Sequence, residues 1–449
     1  MTDWFALLCD AGSVGDEFDP PESVVARAGH IAGVEVVVIV CDFEFLAGTL
    51  SVAAGASFVR AVDIAIERGV AVVAVARSGG ARMQQGTRAF VQMLRAMDAV
   101  ARLRWVGLPL IVYLADPTTG GVFASWASAG HVTFAEPGAT VAFTGPRIAA
   151  ALGASGEPAD VQRSEALFEH GHVDRVVPID ELRDAVACVV RTLTPADAPV
   201  VRDIPGDHVD GPRGWRAVTA ARQLTGPQVL DRVLARADEV TVLEGDRAGT
   251  RTDTVVAAIC RLDGRPLVVI GHRKGSGAVG SAGLRVARRA MAVAVDLGLP
   301  IVTVIDTEGA EISSLEEESG LAGAISASMA TMLAAPVSTV SILAGSGSGG
   351  AAIAWAGADR LLAVPEAWMA PISPEAASLI VHRTQDRASE MADMQRVGAI
   401  ELLEAGIVDR LITPDRIVDA ISTELDALAA TATDELLARR SERIGCLGE

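Results

Sequence analysis

Aromatic side chains make up only 4% of this 449-residue chain, with a single tyrosine, Tyr113. That scarcity argues against nucleic-acid binding by stacking bases on aromatic platforms. Lysine is scarcer still. Lys274 is the only one, which leaves few chances for a Schiff base or a lysine-linked prosthetic group. Phosphate contacts fall to arginines, helix N-termini or Lys274 itself. Positive charge is short overall: 38 basic residues face 57 acidic ones, a formal net charge of −19. Such a chain repels polyphosphate, so an anionic substrate needs a locally basic or backbone-amide site. The five cysteines (Cys9, Cys41, Cys188, Cys260, Cys446) form no C-x-x-C pair, the pattern of a four-cysteine zinc site or a thioredoxin-like motif. Their sparse, odd number suits buried thiols in a reducing compartment. The N-terminus lacks a charged segment followed by an apolar run, and the Ala/Val runs break before membrane-spanning length. The expectation is a cytoplasmic protein with no metal, no membrane and no nucleic-acid partner.

Half of the residues are hydrophobic, ample for large packed cores. The chain also repeats itself. Gly69-Val-Ala-Val-Val-Ala-Val-Ala-Arg-Ser-Gly-Gly-Ala81 has a counterpart in Gly298-Leu-Pro-Ile-Val-Thr-Val-Ile-Asp-Thr-Glu-Gly-Ala310. Leu114-Ala115, Gly120-Gly121 and Trp126 match Leu343-Ala344, Gly349-Gly350 and Trp355, and Gly171-His-Val-Asp-Arg175 matches Gly406-Ile-Val-Asp-Arg410. A unit on the order of two hundred residues is too long for a solenoid and reads as two homologous domains. We expect domain one at 1–200, a Pro-rich polar linker at 201–219, and domain two at 220–449.

Within each half, short β-branched runs (Val34–Val40, Val70–Val75, Leu108–Leu114, Val132–Phe134) alternate with segments of helical spacing such as Thr87–Leu103 and Ala324–Leu333. That is an α/β pattern. Three glycine-rich pieces follow strands in domain one: Ser78-Gly-Gly-Ala-Arg-Met83, Asp116-Pro-Thr-Thr-Gly-Gly-Val122 and Phe143-Thr-Gly-Pro-Arg147. A Gly-Gly pair opening a helix bares backbone N–H groups that can hold an oxyanion. One such pair alone is most often a turn former, but the pair recurs in both halves beside an equivalent tryptophan. No G-x-S-x-G elbow and no phosphate-binding G-x-x-x-x-G-K-[ST] loop is present. His170 and His172 lie in a polar segment that reads as a solvated turn, and Glu316-Glu-Glu318 as a solvated helix start.

Ser78-Gly-Gly-Ala-Arg-Met-Gln84, Asp116–Gly121, Ala135-Glu-Pro137, Phe143–Arg147 and Gln162-Arg-Ser-Glu165 resemble the β half of an acetyl-CoA/acyl-CoA carboxylase carboxyltransferase. Gly271-His-Arg-Lys-Gly275, Ile305-Asp-Thr-Glu-Gly-Ala310, Gly347-Ser-Gly-Gly-Ala351 and Ile372-Ser-Pro-Glu375 resemble its α half. The match runs through nearly the whole chain and looks closest to the fused, actinobacterial-type β–α subunits. The resemblance implies two crotonase-like (ClpP-like) ββα superhelix domains. It also implies a homodimer or hexamer with acyl-CoA on domain one and biotin on domain two.

The implied reaction moves a carboxyl group from carboxybiotin to the α-carbon of a short acyl-CoA (acetyl-CoA or propionyl-CoA) through a thioester enolate. By family position, Gly120 and Gly121 would hold the enolate oxygen, and Gly350 and Ala351 the ureido oxygen of biotin. Gly79, Gly80, Ala81, Arg82, Gly145 and Arg147 would bind acyl-CoA, with Ile353 lining the acyl pocket and Gly309 and Gly349 on the biotin side. Arg82 also has a structural reading, as an interior salt-bridge former. The sequence holds no biotinyl-lysine signature, so a separate biotin carboxylase/biotin carrier subunit is an expected partner. Glu308 departs from the pattern, standing where the α half often has proline, and the Pro-Gly that usually follows is missing. Carboxylates facing an anionic carboxybiotin would be unfavourable. Two alternatives stay open: a biotin-independent malonyl-thioester decarboxylase on the same fold, and a non-catalytic carboxylase subunit.

Overall fold

The structure, a computed structural model, describes residues 2–19, 22–145, 151, 158–194, 209–225 and 228–447. It divides into two compact units. The first comprises Met1–Thr194 together with Glu244–Arg251; the second comprises Pro195–Leu243 and Thr252–Glu449.

The first unit is built on strands β1 (Val24–Ile31), β2 (Val34–Cys41), β3 (Ala71–Ser78), β4 (Leu110–Thr119), β5 (Val132–Ala135), β6 (Val141–Ala142) and β7 (Arg175–Val176). They hydrogen-bond in the order β1-β2-β3-β4-β5-β7, with β6 added to the end of β4. Only β1–β2 is antiparallel; β2 onward is parallel. Parallel strands covered by helices are apolar on both faces, which is why β2 and β3 read as near-continuous Val/Ala runs. The helix Val52–Arg68 starts where the Ser51 hydroxyl accepts the Ala54 N–H and stops at Gly69, whose φ of +68° ends the turn. It buries Phe58 against the indole of Trp126, with ring centroids 4.9 Å apart.

The second unit repeats this order. Its strands are β8 (Glu239–Val242), β9 (Val255–Leu262), β10 (Arg265–His272), β11 (Ile301–Thr307), β12 (Thr339–Ser348), β13 (Arg360–Ala363), β14 (Trp368–Ala370) and β15 (Arg410–Leu411). The sheet runs β9-β10-β11-β12-β13-β15 with β14 on β12, and β8 is an extra edge strand beside β9. The repeated Gly-x-Val-Asp-Arg motif has the same job in both units. Asp174 accepts the Thr133 N–H at the start of β5, and Asp409 accepts the Leu361 N–H in β13.

Two features depart from the sequence-derived boundaries. Residues 195–208, which include the first part of the expected linker (201–208), lie outside the described residues. Residues 214–219, also expected in the linker, open the helix Gly214–Gln223, whose Ala217, Val218 and Ala221 are buried against Trp368, Ala392 and Val397. Its apolar face makes it part of the second unit. The segment Glu244–Arg251 belongs with the first unit. There Asp174, fully buried, accepts the Glu244 N–H and pairs with Arg247.

Candidate active site

The first glycine corner joins the ends of β3 and β4. After β3, the Ser78 hydroxyl donates to Gly48 O (2.6 Å) and accepts the Gly80 N–H (3.0 Å), while the Gly79 N–H donates to Ala47 O (2.8 Å). Leu50 donates to Gly80 O and accepts from Arg82 N–H, a parallel bridge that turns the Ala81 N–H away from Leu50. After β4, Gly120 takes φ +65° and donates its N–H to Phe143 O (3.0 Å). The amides of Ala81 and Gly121 have no acceptor among the described residues. The two arms touch: a Cβ on Gly80 would lie 3.2 Å from Gly120 Cα and 3.4 Å from Gly121 N.

The second corner, at the ends of β11 and β12, has the same plan. Gly309 takes φ +129° and Gly349 φ +63°, as Gly80 (+102°) and Gly120 do. The Gly309 N–H donates to Thr307 Oγ1 (3.1 Å), and Val279 donates to Gly309 O in a bridge that frames Ala310 as Leu50 frames Ala81. The Ala310, Gly350 and Ala351 amides have no acceptor among the described residues. By this register Gly349 corresponds to Gly120 and Gly350 to Gly121.

Several sequence expectations change here. The Gly120 N–H, expected at the enolate oxygen, is engaged with Phe143 O. The Arg82 guanidinium, expected at the acyl-CoA, is engaged with protein groups. It is buried and forks onto the Glu22 carboxylate (2.7 and 3.2 Å), with further bonds to Thr49 Oγ1, Thr49 O and Ser23 Oγ. The helices opened by the glycine pairs, Gly120–Phe123 and Gly349–Ile353, have four and five residues. So few aligned peptides make a weak dipole, leaving the individual amides as the useful groups. Gly145 is half-buried beside the Thr119 side chain. Arg147 lies outside the described residues. Ile353 is half-exposed and borders an apolar cavity of about 170 Å³ with Leu333, Gly357 and Ile444. The Ala310 amide joins this corner without having been singled out, although the repeat sets it opposite Ala81.

Charge around the second corner is partly compensated, with Asp306, Glu308 and Glu375 facing Arg222 and Lys274. Glu308 accepts from Ser346 Oγ (2.7 Å) and lies 3.9 Å from Arg222, which also pairs with Glu375 at 2.7 Å. Burial raises the pKa of Asp306, opposed by Lys274, whose Nζ is 3.7 Å away. His272 is fully buried against Trp355 (ring centroids 3.9 Å apart), and burial pushes its pKa down to about 3, so it stays neutral. Glu316 is not merely a solvated helix start: its carboxylate accepts the Ser281 N–H and caps a neighbouring helix.

Comparison with known proteins agrees with this architecture. The profile of the acetyl co-enzyme A carboxylase carboxyltransferase-like family matches residues 210–448. A Mycobacterium tuberculosis (strain ATCC 25618 / H37Rv) protein named probable biotin-dependent acyl-coenzyme A carboxylase beta3 subunit is 40% identical, over 95% of this chain and 89% of its own length. The chain belongs to the acyl-CoA carboxylase carboxyltransferase family. The beta/alpha carboxyl transferase subunits of acetyl-coenzyme A carboxylase from Parafrankia sp. (strain EAN1pec) are 37% identical, over 91% of this chain and 72% of theirs. Among solved structures, transcarboxylase 12S, a hexamer crystallised with methylmalonyl-coenzyme A and methylmalonic acid, superposes with a TM-score of 0.80 at 20% identity. That superposition covers 95% of this chain and 89% of the transcarboxylase chain. Its likeness establishes the crotonase-like fold of both units. The carboxyltransferase is therefore a transferase of the biotin-dependent acyl-CoA carboxylase class.

Proposed function

We propose that the carboxyltransferase moves a carboxyl group between a biotin carried by another protein and the α-carbon of a short acyl-CoA. The observation that carries this reading is the pair of equivalent glycine corners, each presenting backbone amides with no acceptor among the described residues. Two oxyanions arise in such a transfer, the thioester enolate and the ureido oxygen of biotin, and each needs fixed N–H donors. The Ala81 and Gly121 amides receive the thioester oxygen as the α-proton leaves. The donors Ala310, Gly350 and Ala351 suit a ureido oxygen in number and kind, and Arg222 offsets the Glu308 carboxylate beside them. Biotin, when bound as its N-carboxy form, supplies the carboxyl group and the nitrogen that accepts the α-proton. Loss of one donor removes on the order of 3 kcal/mol of transition-state stabilisation.

The carrier and the carboxylase that loads it come from a separate subunit, since the single lysine sits in Arg273-Lys-Gly275 rather than in a biotinylation motif. Ile353 on the wall of the second unit favours a short acyl group, acetyl or propionyl, and the working form is a homodimer or hexamer. No described helix is long and apolar enough to cross a membrane, in keeping with a cytoplasmic enzyme.

The test is reverse transfer of labelled carboxyl from malonyl-CoA or methylmalonyl-CoA to free biotin by the purified chain. Biotin-dependent loss of label supports the reading and ranks the acyl groups. Label lost at the same rate without biotin makes the protein a decarboxylase. Binding of acyl-CoA without any turnover makes it a non-catalytic subunit.

A further inference from the structure

Each glycine corner is preceded by a break in its β-ladder. The β3–β4 register shifts between Ala76 and Ser78, and the β11–β12 register between Ile305 and Thr307. One residue of the shorter step is left out in each unit, Arg77 and Asp306, which correspond in the repeat; opposite them β4 bulges by Ala115–Pro117 and β12 by Ala344–Ser346. A bulge frees main-chain groups, and both units re-engage one of them with the side chain of the residue facing the bulge. Asp306 accepts the Ser346 N–H (2.9 Å), is itself buried, and has Lys274 as counter-ion at 3.7 Å. Gly345 makes room for it, since a Cβ there would collide with the carboxylate. In the first unit the residue matching Ser346 is Pro117, which has no N–H to satisfy. The polarity reverses accordingly. Arg77 Nε donates to Asp116 O (2.6 Å), while its guanidinium lies over Phe43 (5.0 Å) and 3.6 Å from Glu44.

We propose that Arg77 and Asp306 are positioning residues, each clamping the bulge that aims its unit's uncommitted amides. The bulged strands run straight on into Ala81 and Gly121 in one unit, and into Ala310 and Gly350 in the other. Slack in a bulge therefore passes directly to the donors. The catalytic part of this inference rests on the proposed carboxyl transfer; the clamp itself does not.

Two readouts test it. Hydrogen exchange followed by mass spectrometry on peptides spanning 339–353 reads the clamp. Asp306→Ala should expose the Ser346 segment to faster exchange, whereas Asp306→Asn keeps an acceptor and should exchange as the parent does. Steady-state transfer between malonyl-CoA and free biotin reads the positioning. Asp306→Ala should lower kcat by about tenfold to a hundredfold with KM for the acyl-CoA unchanged, and Asp306→Asn should stay within about threefold. Arg77→Met should give the mirror result in peptides spanning 110–123. Unchanged exchange in Asp306→Ala overturns the clamp, and unchanged kcat overturns the positioning role. If the parent chain transfers no carboxyl group while exchange responds as stated, the clamp stands and the proposed function falls.

Discussion

A methyl group added at Gly120 would lie 2.9 Å from the Cα of Gly80, on a backbone already at φ +65°. The same group at Gly121 has as its nearest neighbours Sδ (2.8 Å), Cγ (3.3 Å) and Cε (3.7 Å) of Met93, a flexible side chain, and Gly121 has no left-handed φ. Gly120→Ala should therefore destabilise the fold by at least about 1–2 kcal/mol from the left-handed backbone alone. Gly121→Ala should melt close to the parent; denaturant melts of the two variants compare them directly. Arg82 makes a second residue-scale case. Burial works to raise the Glu22 pKa, but Arg82 and the Ser23 N–H hold it below the usual carboxylate value. A depressed folded pKa contributes stability above the unfolded value of about 4.3, lost as pH falls through the folded one. Arg82→Met should cost about 1.5–3 kcal/mol at neutral pH by removing the charged partner of a part-buried carboxylate. The double variant with Glu22→Gln should recover part of that loss and flatten acid unfolding. Melts from pH 7 to 3 decide it; a raised KM for acyl-CoA with unchanged stability would return Arg82 to the substrate.

At the scale of elements, the helix Gly214–Gln223 belongs to the second unit through a fully buried face. Val218→Asp puts an unpaired carboxylate against Trp368 and should lower that unit's stability by several kcal/mol. Circular dichroism melts measure the shift, and a melt unchanged from the parent would mean the helix is dispensable. This helix was hard to read because Pro212, Gly214 and Pro227 give its surroundings the composition of a linker. The parallel strands and the glycine corners were legible, since β-branched runs and paired glycines carry their physics locally and appear twice. Long-range pairings were not. Arg82 finds Glu22 sixty positions earlier, the Gly120 amide finds Phe143 O, and Asp174 holds Arg247 from beyond the expected boundary. In each case the residue's role depends on a partner that only the folded chain brings near.

For the whole molecule, net charge and exposed apolar groups pull in opposite directions. A formal charge of −19 favours solubility. Yet Phe90, Leu94 and Trp105 stand exposed along the helical layer of the first unit, as do Ile312 and Leu315 in the second. Phe90 and Leu94 are one helical turn apart in sequence, and apolar groups exposed side by side mark interaction surfaces. The intact chain should run as a dimer or larger by light scattering, and the pair Phe90→Glu with Leu94→Glu should shift it toward monomer. A monodisperse monomer at micromolar concentration would refute the assembly.

Lys274 gives the protein an unusual experimental property. Reductive methylation with isotopically enriched formaldehyde can modify only one side-chain amine, and that amine stands 3.7 Å from Asp306. The Lys274 methyl resonance, told apart from that of the methylated α-amine by its higher pKa, then watches the second corner. Without any further engineering, its chemical shift becomes a spectroscopic gauge of ligand arrival in that half.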